Sequence, residues 1–545
     1  MAPVATTDRF SFWELVAPLQ SGDEFSLAFR SEAGKAVYVV PSGITNAVER
    51  IDRWPLPDLD PIDTPGWALG SVIYQIFPDR FANGDTTNDP VGSEPWGSPP
   101  TARGFQGGDL NGIVDRLDYL ERLGVDVIYL NPVFLSPSTH RYDTVDYHQV
   151  DPHLGGDEAL RELVEATHRR GIKVIIDASF NHCHPRFFAF QDLLVKGRQS
   201  EYVDWFKIWD WPIRIKVRSP LRAWQREWLP VWAGQAGLEL DYVDDDGPPV
   251  EPTYDAWYGV ATMPRVNLAN PEARAFMLEV AEKWLLDPGI DGWRMDVARY
   301  IDHDFWPEFR QVARKAKSDA YLIGEFFGDA GIWLQGDQFD ATMNYSFRDL
   351  CIKFLATEQI DGTEASARFA HLWAQYPWKV TLANQNLIGS HDTARFLTVA
   401  GDESWRLRLA AFLQLTFPGA PGLYYGDEIE MGGATDPGSR GAFDWDLDPV
   451  EHPTFKFVAS LTALRKKVPA LVTGDWRPLA SSGDVLAFER GKVGSRIGVF
   501  LNRGRRKSLR LSGAQKVLFG SATIDGDRLH LPARSGTVVK LGRTR

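Results

Sequence analysis

From Ser71 onward, short and almost wholly apolar runs alternate with longer stretches in which apolar residues recur every three or four positions. The apolar runs are Ser71–Phe77, Val125–Asn131, Lys173–Ala178, Gly292–Val297, Tyr321–Phe326, Phe339–Tyr345, Asn386–His391 and Gly422–Asp427. Helical candidates lie between most of them: Asp115–Leu123, Glu158–Arg170, Pro271–Leu286, Phe305–Lys317 and Arg406–Phe417. Strands buried on both faces read as apolar throughout. Such strands interleaved with amphipathic helices predict an α/β fold, a parallel (β/α)8 TIM barrel.

Three stretches depart from the alternation. Residues 1–66 hold short alternating runs, Glu24–Arg30 and Ala36–Val40, then a Pro- and Asp-rich linker from Trp54 to Pro65. They predict a small N-terminal β unit. The barrel is then expected over 67–184 and 261–466. Between them, 185–260 is irregular and Trp-rich, too long for an ordinary loop. It is expected to be a subdomain inserted after the third strand. Beyond 467, the runs Val485–Arg490, Ser495–Asn502, Ser508–Leu511 and Gly536–Leu541 predict a C-terminal β-sandwich over 467–545.

In such a barrel, chemistry sits where strands end and loops begin. Arg294 and Asp296 are two apart on one predicted strand and so point the same way. A neighbouring cation favours an ionised, nucleophilic carboxylate. A structural Arg–Asp pair would look the same, so the other strand ends decide. These bring Asn131, His140, Tyr142 and Asp143; Asp177, Asn181 and His182; Glu325; and His391 with Asp392. Several carboxylates with histidine donors are what glycosidic cleavage needs: one attacks the anomeric carbon, and a protonated one supplies the leaving oxygen.

Composition narrows the partners. The chain has 545 residues, 44% hydrophobic and 24% charged, with a net charge of −14. That disfavours nucleic acid and anionic membranes. No run is apolar enough to span a bilayer, and Met1-Ala2-Pro3-Val4 does not begin a signal peptide. Two cysteines, Cys183 and Cys351, make no disulfide framework; a cytoplasmic location is expected. The 20 Trp residues suit sugar stacking as well as core packing.

Four segments resemble, in order and spacing, the signature regions of the alpha-amylase family, glycoside hydrolase family 13. They are Asp177-Ala-Ser-Phe-Asn-His182, Gly292-Trp-Arg-Met-Asp-Val-Ala298, Gly324-Glu325 and Ser390-His-Asp392. Met263-Pro-Arg-Val-Asn267, Tyr74 to Asp85 and Tyr424-Tyr-Gly-Asp-Glu428 are similar to the neopullulanase, cyclomaltodextrinase and maltogenic amylase branch. The resemblance implies Asp296 as nucleophile, Glu325 as general acid/base and Asp392 as stabiliser of an oxocarbenium-like transition state. It implies that Arg294 orients Asp296 and keeps it ionised. Tyr142, His182 and His391 would bind the sugar under attack, with Asp143 and His140 supporting Tyr142.

Asn83, Asp85, Asn88, Asp89, Gly107 and Asp109 offer hard oxygen ligands on a Gly-containing loop, which suits Ca²⁺. They resemble the calcium site of the neopullulanase-like branch. A zinc reading of His182-Cys183-His184 lacks a second ligand pair at zinc spacing, and no organic cofactor is expected. The chain departs from that branch at Arg299-Tyr300, where Asn-Glu is usual, and at Phe326-Phe327-Gly328, where Ile-Trp-His is usual. Arg299 and Phe327 are therefore expected to touch substrate on the leaving-group side and to shape its choice.

The expected function is retaining hydrolysis of α-1,4 bonds in cyclodextrins, malto-oligosaccharides, and pullulan or starch. An α-glucosidase or 4-α-glucanotransferase on the same site is the alternative, with a non-catalytic glucan-binding protein more remote. The N-terminal unit is shorter than the one that covers a partner's site in dimeric relatives, which leaves a homodimer open.

Overall fold

Eight parallel strands close into a barrel, each hydrogen-bonded to the next: β1 (Ile73–Ile76), β2 (Val127–Leu130), β3 (Lys173–Ala178), β4 (Gly292–Met295), β5 (Tyr321–Gly324), β6 (Ala341–Asn344), β7 (Gln385–Leu387) and β8 (Ala420–Tyr424). Pairing of Gly422 with Ile73 closes the ring. A computed structural model gives the positions of residues 62–491 and 495–542 and, before them, of the strand segments between residues 2 and 55. The chain forms two units, Met1–Asp63 and Thr64–Arg545.

The barrel interior is filled from alternate positions: Ile73, Val127, Tyr129, Ile175, Ile323 and Met343 belong to one buried cluster. At Gly292 a β-carbon would stand 2.0 Å from the Tyr321 carbonyl, so only glycine lets β4 approach β5 there. The outer helices bury one stripe each. Phe305–Ala316 buries Phe305, Trp306, Phe309 and Ala313, spaced for one face. Pro271–Leu286 starts where Asn270 accepts from the Glu272 and Ala273 N–H groups and Pro271 sets the first turn.

The N-terminal ends of the strands are pinned by a repeated device. The residue before β2, Asp126, accepts from the Val72 N–H at 2.9 Å. Asp291, before β4, accepts from Val174 at 2.9 Å; Asp340, before β6, from Leu322 at 2.9 Å; and Asn384, before β7, from Thr342 at 3.0 Å. Each short side chain reaches sideways to the neighbouring strand and satisfies a donor that the ladder leaves open.

The insert after β3 has more order than its sequence suggests. It carries a three-stranded sheet (Glu239–Tyr242, Arg214–Val217, Val250–Pro252) and the helix Ala223–Ala236. Its two ends lie side by side: His182 bridges Arg265, the Cys183 N–H donates to Pro264 O, and the Val266 N–H donates to Asn181 O. Trp205 is buried against Phe188, Tyr202 and Phe276. Trp228 and Trp232 face the Arg103 guanidinium at 4.5 and 3.9 Å, a cation–π contact with the loop before β2.

β7 ends at Leu387, so His391 and Asp392 stand in the loop beyond it rather than on the expected strand Asn386–His391. Helices Tyr345–Cys351, Gly362–Ala374 and Pro453–Lys467 were not expected from the pattern. After them, a five-stranded and a three-stranded antiparallel sheet bury Val485, Phe500 and Val539 against Leu529 and Leu531.

The N-terminal unit is described by its strands: Ala2–Thr6 pairs with Ser11–Glu14, and Leu27–Arg30, Ala36–Val40 and Gly43–Thr45 pair in turn, all antiparallel. Residues 56–61 of the expected linker from Trp54 to Pro65 lie outside the described residues.

Candidate active site

At the C-terminal ends of the strands, one fully buried guanidinium organises four carboxylates. Arg294 Nη1 donates to Asp177 Oδ1 at 2.7 Å and to Asp296 Oδ1 at 2.9 Å. Its Nη2 lies 2.9 Å from Glu325 Oε1, an ion pair without the alignment of a hydrogen bond. Arg294 is on β4, Asp296 one residue past its end, Asp177 on β3, and Glu325 one residue past β5. Asp392 comes in from the loop after β7, where Arg440 Nη2 stands 3.4 Å from its Oδ1.

The turn after Asp296 is strained. Val297, a β-branched residue, has φ +40°, a region such side chains rarely enter. Its N–H donates to Glu325 Oε2 at 3.0 Å. The strained turn thus holds one oxygen of Glu325 while Arg294 faces the other.

Arg294 was expected to keep Asp296 acidic. The contact is made, and its pull on Asp296 is opposed. Burial pushes Asp296 upward, and Glu325, Asp177 and Asp392 push it further, against the pull of Arg294. Burial raises Asp177 as well, and burial with Glu325 raises Asp392, although a third of its side chain faces the open cleft. Arg294, with Arg440 at the edge beside Asp392, faces four carboxylates, so the group is short of positive charge and its protons are shared among interacting sites.

The histidines are neutral. Burial drives His182 down to about 3 and lowers His391 well below its usual value. Gln75 Nε2 stands 2.8 Å from His391 Nδ1 and also donates to Asn131 Oδ1 at 3.1 Å. That makes Nδ1 the acceptor and places the proton on Nε2, which meets Tyr142 Oη at 2.6 Å and Asp392 Oδ2 at 3.2 Å. Tyr142 donates to Asp177 Oδ2 at 2.7 Å and lies parallel to His391, with centroids 5.6 Å apart. His182 Nδ1 faces Asn181 Nδ2 at 3.1 Å, and its buried Nε2 meets no protein group.

Other expected residues are placed less directly. Asp143 accepts from Ser136 Oγ at 2.8 Å and from Ser138 Oγ, so it braces the loop carrying Tyr142. Arg299 donates to the Phe327 carbonyl at 2.7 Å and packs over Trp333, so its guanidinium braces the loop after Glu325 rather than reaching freely into the cleft. Phe327 is half exposed and stacks on Tyr345 at 4.1 Å. Tyr300 meets Tyr258 of the insert through their hydroxyls, and both rings are exposed.

The candidate calcium loop draws most of its expected residues together. Asp109 accepts from Gly84 N and Gly112 N through Oδ1, and from Asp85 N and Asn88 Nδ2 through Oδ2. Asn83 Nδ2 donates to Asp89 Oδ1 at 2.8 Å. A β-carbon on Gly107 would strike both Asp89 and Asn83, so the backbone there approaches closely. Asp85 instead turns its carboxylate to Thr87. Among the described residues, no three His, Cys, Asp or Glu side chains group as a metal site. The oxygens on offer here are largely amides: Asn83 Oδ1 and Asn88 Oδ1 are buried and meet no donor. A hard cation is the kind of group that satisfies such acceptors.

Residues 75–444 match the family described as alpha amylase, catalytic domain. This chain belongs to the alpha-amylase family. Within that family it is 38% identical over 547 residues to a cyclomaltodextrinase from Thermoanaerobacter pseudethanolicus, covering 98% of this chain and 90% of the relative. It is 42% identical over 453 residues to neopullulanase 2 from Thermoactinomyces vulgaris, covering 82% and 72%. A solved cyclomaltodextrinase structure matches with a TM-score of 0.86 at 34% identity, over 99% of this chain and 90% of that one. The chain is therefore an α-glucan hydrolase of the alpha-amylase family, with an oligosaccharide as substrate.

Two residues of this alpha-amylase site were not singled out from sequence. Gln75 is a buried amide inside an otherwise apolar strand, and that oddity was its signal. Tyr345 ends the apolar run containing β6; only the structure puts it beside Glu325 and Asp392.

Proposed function

We propose that this chain hydrolyses α-1,4 bonds of cyclodextrins and malto-oligosaccharides by double displacement with retention. Pullulan and starch are slower substrates. The observation that carries the proposal is Arg294 set between Asp177, Asp296 and Glu325 at the strand ends. Asp296 attacks the anomeric carbon. Glu325 gives its proton to the leaving oxygen and then takes one from water. Asp392 and the Nε2–H groups of His391 and His182 bind the sugar hydroxyls and strengthen as positive charge develops on the ring. For this, Glu325 leaves the Val297 N–H and turns to the glycosidic oxygen.

The names of the relatives support cyclodextrin as the first substrate. The Tyr258–Tyr300 contact, which ties the insert to the turn after the nucleophile, favours short acceptors and hence some glucosyl transfer.

The test is a chromatographic time course on β-cyclodextrin, pullulan, soluble starch and maltotriose, with Asp296→Asn as control. Cyclodextrin opening ahead of starch is expected. Glucose from maltotriose with cyclodextrin untouched would make the chain an α-glucosidase instead. Asp296→Asn is expected to lose about four orders of magnitude in kcat, the scale of removing a nucleophile. Wild-type activity in that variant would refute the mechanism.

Calcium belongs to the same proposal: Asn83, Asn88, Asp89, Asp109 and the Gly107 backbone would hold it, and its contribution is to order the loop. Chelation is expected to lower the melting temperature of the wild type but not of Asp89→Asn. Equal sensitivity in both would remove calcium from this loop.

A further inference from the structure

Tyr424-Tyr-Gly-Asp-Glu428 takes no part in the chemistry above, yet it carries two buried acids. Glu428 is 2% exposed; its Oε1 accepts from the hydroxyls of Tyr74 and Tyr119, both at 2.5 Å. Its Oε2 meets no donor. Asp427 pairs through Oδ1 with Arg395 Nη1 at 3.0 Å, and its Oδ2 also meets no donor.

Both acids line a cavity of about 10 Å³ behind β7 and β8, walled by Ile388, Leu407 and Leu423. Gln414, fully buried, lines it too. Its amide cannot be turned round, because Nε2 donates to the carbonyls of Asn386 at 2.8 Å and Gly422 at 2.7 Å. Gln414 Oε1 is therefore fixed as an acceptor, and it too has no donor. Three residues that line this space each carry a buried acceptor oxygen that meets no donor, and the space is fit for one atom-sized occupant.

We infer that this cavity binds a single monovalent alkali cation, held by Gln414 Oε1, Asp427 Oδ2 and Glu428 Oε2. The charge count favours a single positive charge. Arg395 balances Asp427, and Arg348 lies further off, donating to the Ala394 carbonyl. Glu428 has two phenols and no cation. A buried carboxylate without a counter-charge is costly, and burial pushes Glu428 up to about 7 and Asp427 up to about 6. A sodium-sized ion would satisfy all three oxygens and supply the missing charge. A water molecule alone offers two hydrogens to three acceptors.

The experiment is a melting series of the full chain in sodium, potassium and choline chloride. Ionic strength is equal throughout, calcium is saturating, and the pH is about 8, where a carboxyl titrating near 7 is mostly ionised. A rise of about 2 °C or more in sodium or potassium over choline, saturating with concentration, is expected. In Glu428→Gln, which keeps the shape and removes the charge, that rise is expected to vanish. Equal melting temperatures of the wild type in all three salts would overturn the inference. If the temperature then rose as the pH was lowered through 7, the occupant would be a water with a proton on the acids. A salt-specific rise that survives in Glu428→Gln would overturn it as well. Should the variant fold poorly, the wild-type series decides alone.

Discussion

Tyr345 carries a buried hydroxyl that no protein group meets; Ser390 is near it without the alignment of a hydrogen bond. A phenol left open beside Glu325 and Asp392 has substrate as its natural partner. Tyr345→Phe is expected to lower kcat/KM by about tenfold, the worth of one hydrogen bond. Its melting temperature should stay put, because no protein contact is lost; a fall in stability without a loss of activity would contradict this. At this scale the sequence was informative about chemistry and poor about orientation. Asp296, Glu325 and Asp392 stood out as carboxylates at predicted strand ends. That Arg299 bends back to the Phe327 carbonyl depends on the path of a loop, which no local pattern encodes. Neither does the crowding that raises Asp296, since it comes from residues distant in the chain.

At the scale of elements, the side chains that pin one strand to its neighbour carry a measurable load. Asp291 also receives His168 at 2.6 Å, Lys317 at 2.7 Å and Lys173 at 3.0 Å. Burial would raise its pKa, but the hydrogen bonds from His168, Lys317 and the Val174 N–H prevail and hold it well below the usual carboxylate range. A carboxylate depressed in the folded state stabilises above its unfolded value of about 4. It loses that contribution as pH falls below this value towards the folded one. Asp291→Asn is therefore expected to cost about 3 kcal/mol at neutral pH by urea unfolding, with the difference shrinking below about pH 4. A constant difference across that range would mean that shape, not charge, is what matters. The strands were legible because burial on both faces leaves almost no polar residue in them. The helix Ala223–Ala236 was hidden by Pro230 in its middle. β7 was misplaced because two of its three residues, Gln385 and Asn386, are polar and the apolar pair Leu387-Ile388 runs past its end.

At the scale of the Thr64–Arg545 unit, arginines replace part of the greasy mortar. Arg465, fully buried on the helix Pro453–Lys467, donates to the carbonyls of Gly70, Leu415, Gly419 and Leu471 and to no acid. Burial lowers it to about 10, still charged at neutral pH. Arg490 does the same for Thr416 and Gly474, tying the C-terminal sheet to the helix Ser404–Thr416. Arg465→Met is expected to destabilise by about 4 kcal/mol or more, because several buried carbonyls lose their donor at once; a loss under about 1 kcal/mol in chemical denaturation would show that water replaces the side chain. The insert obeys a different logic. Its entry and exit are stitched together at His182 and Arg265, and it touches the frame again where Trp205 packs on Phe276, Trp232 on Arg103 and Tyr258 on Tyr300. Its paired ends make it a cassette. New chain termini opened in the exposed turn at residues 244–247, or a whole insert traded with a relative, would leave the strand register untouched. The carboxylates around Arg294 belong to the frame and are expected to keep their places when the cassette is changed.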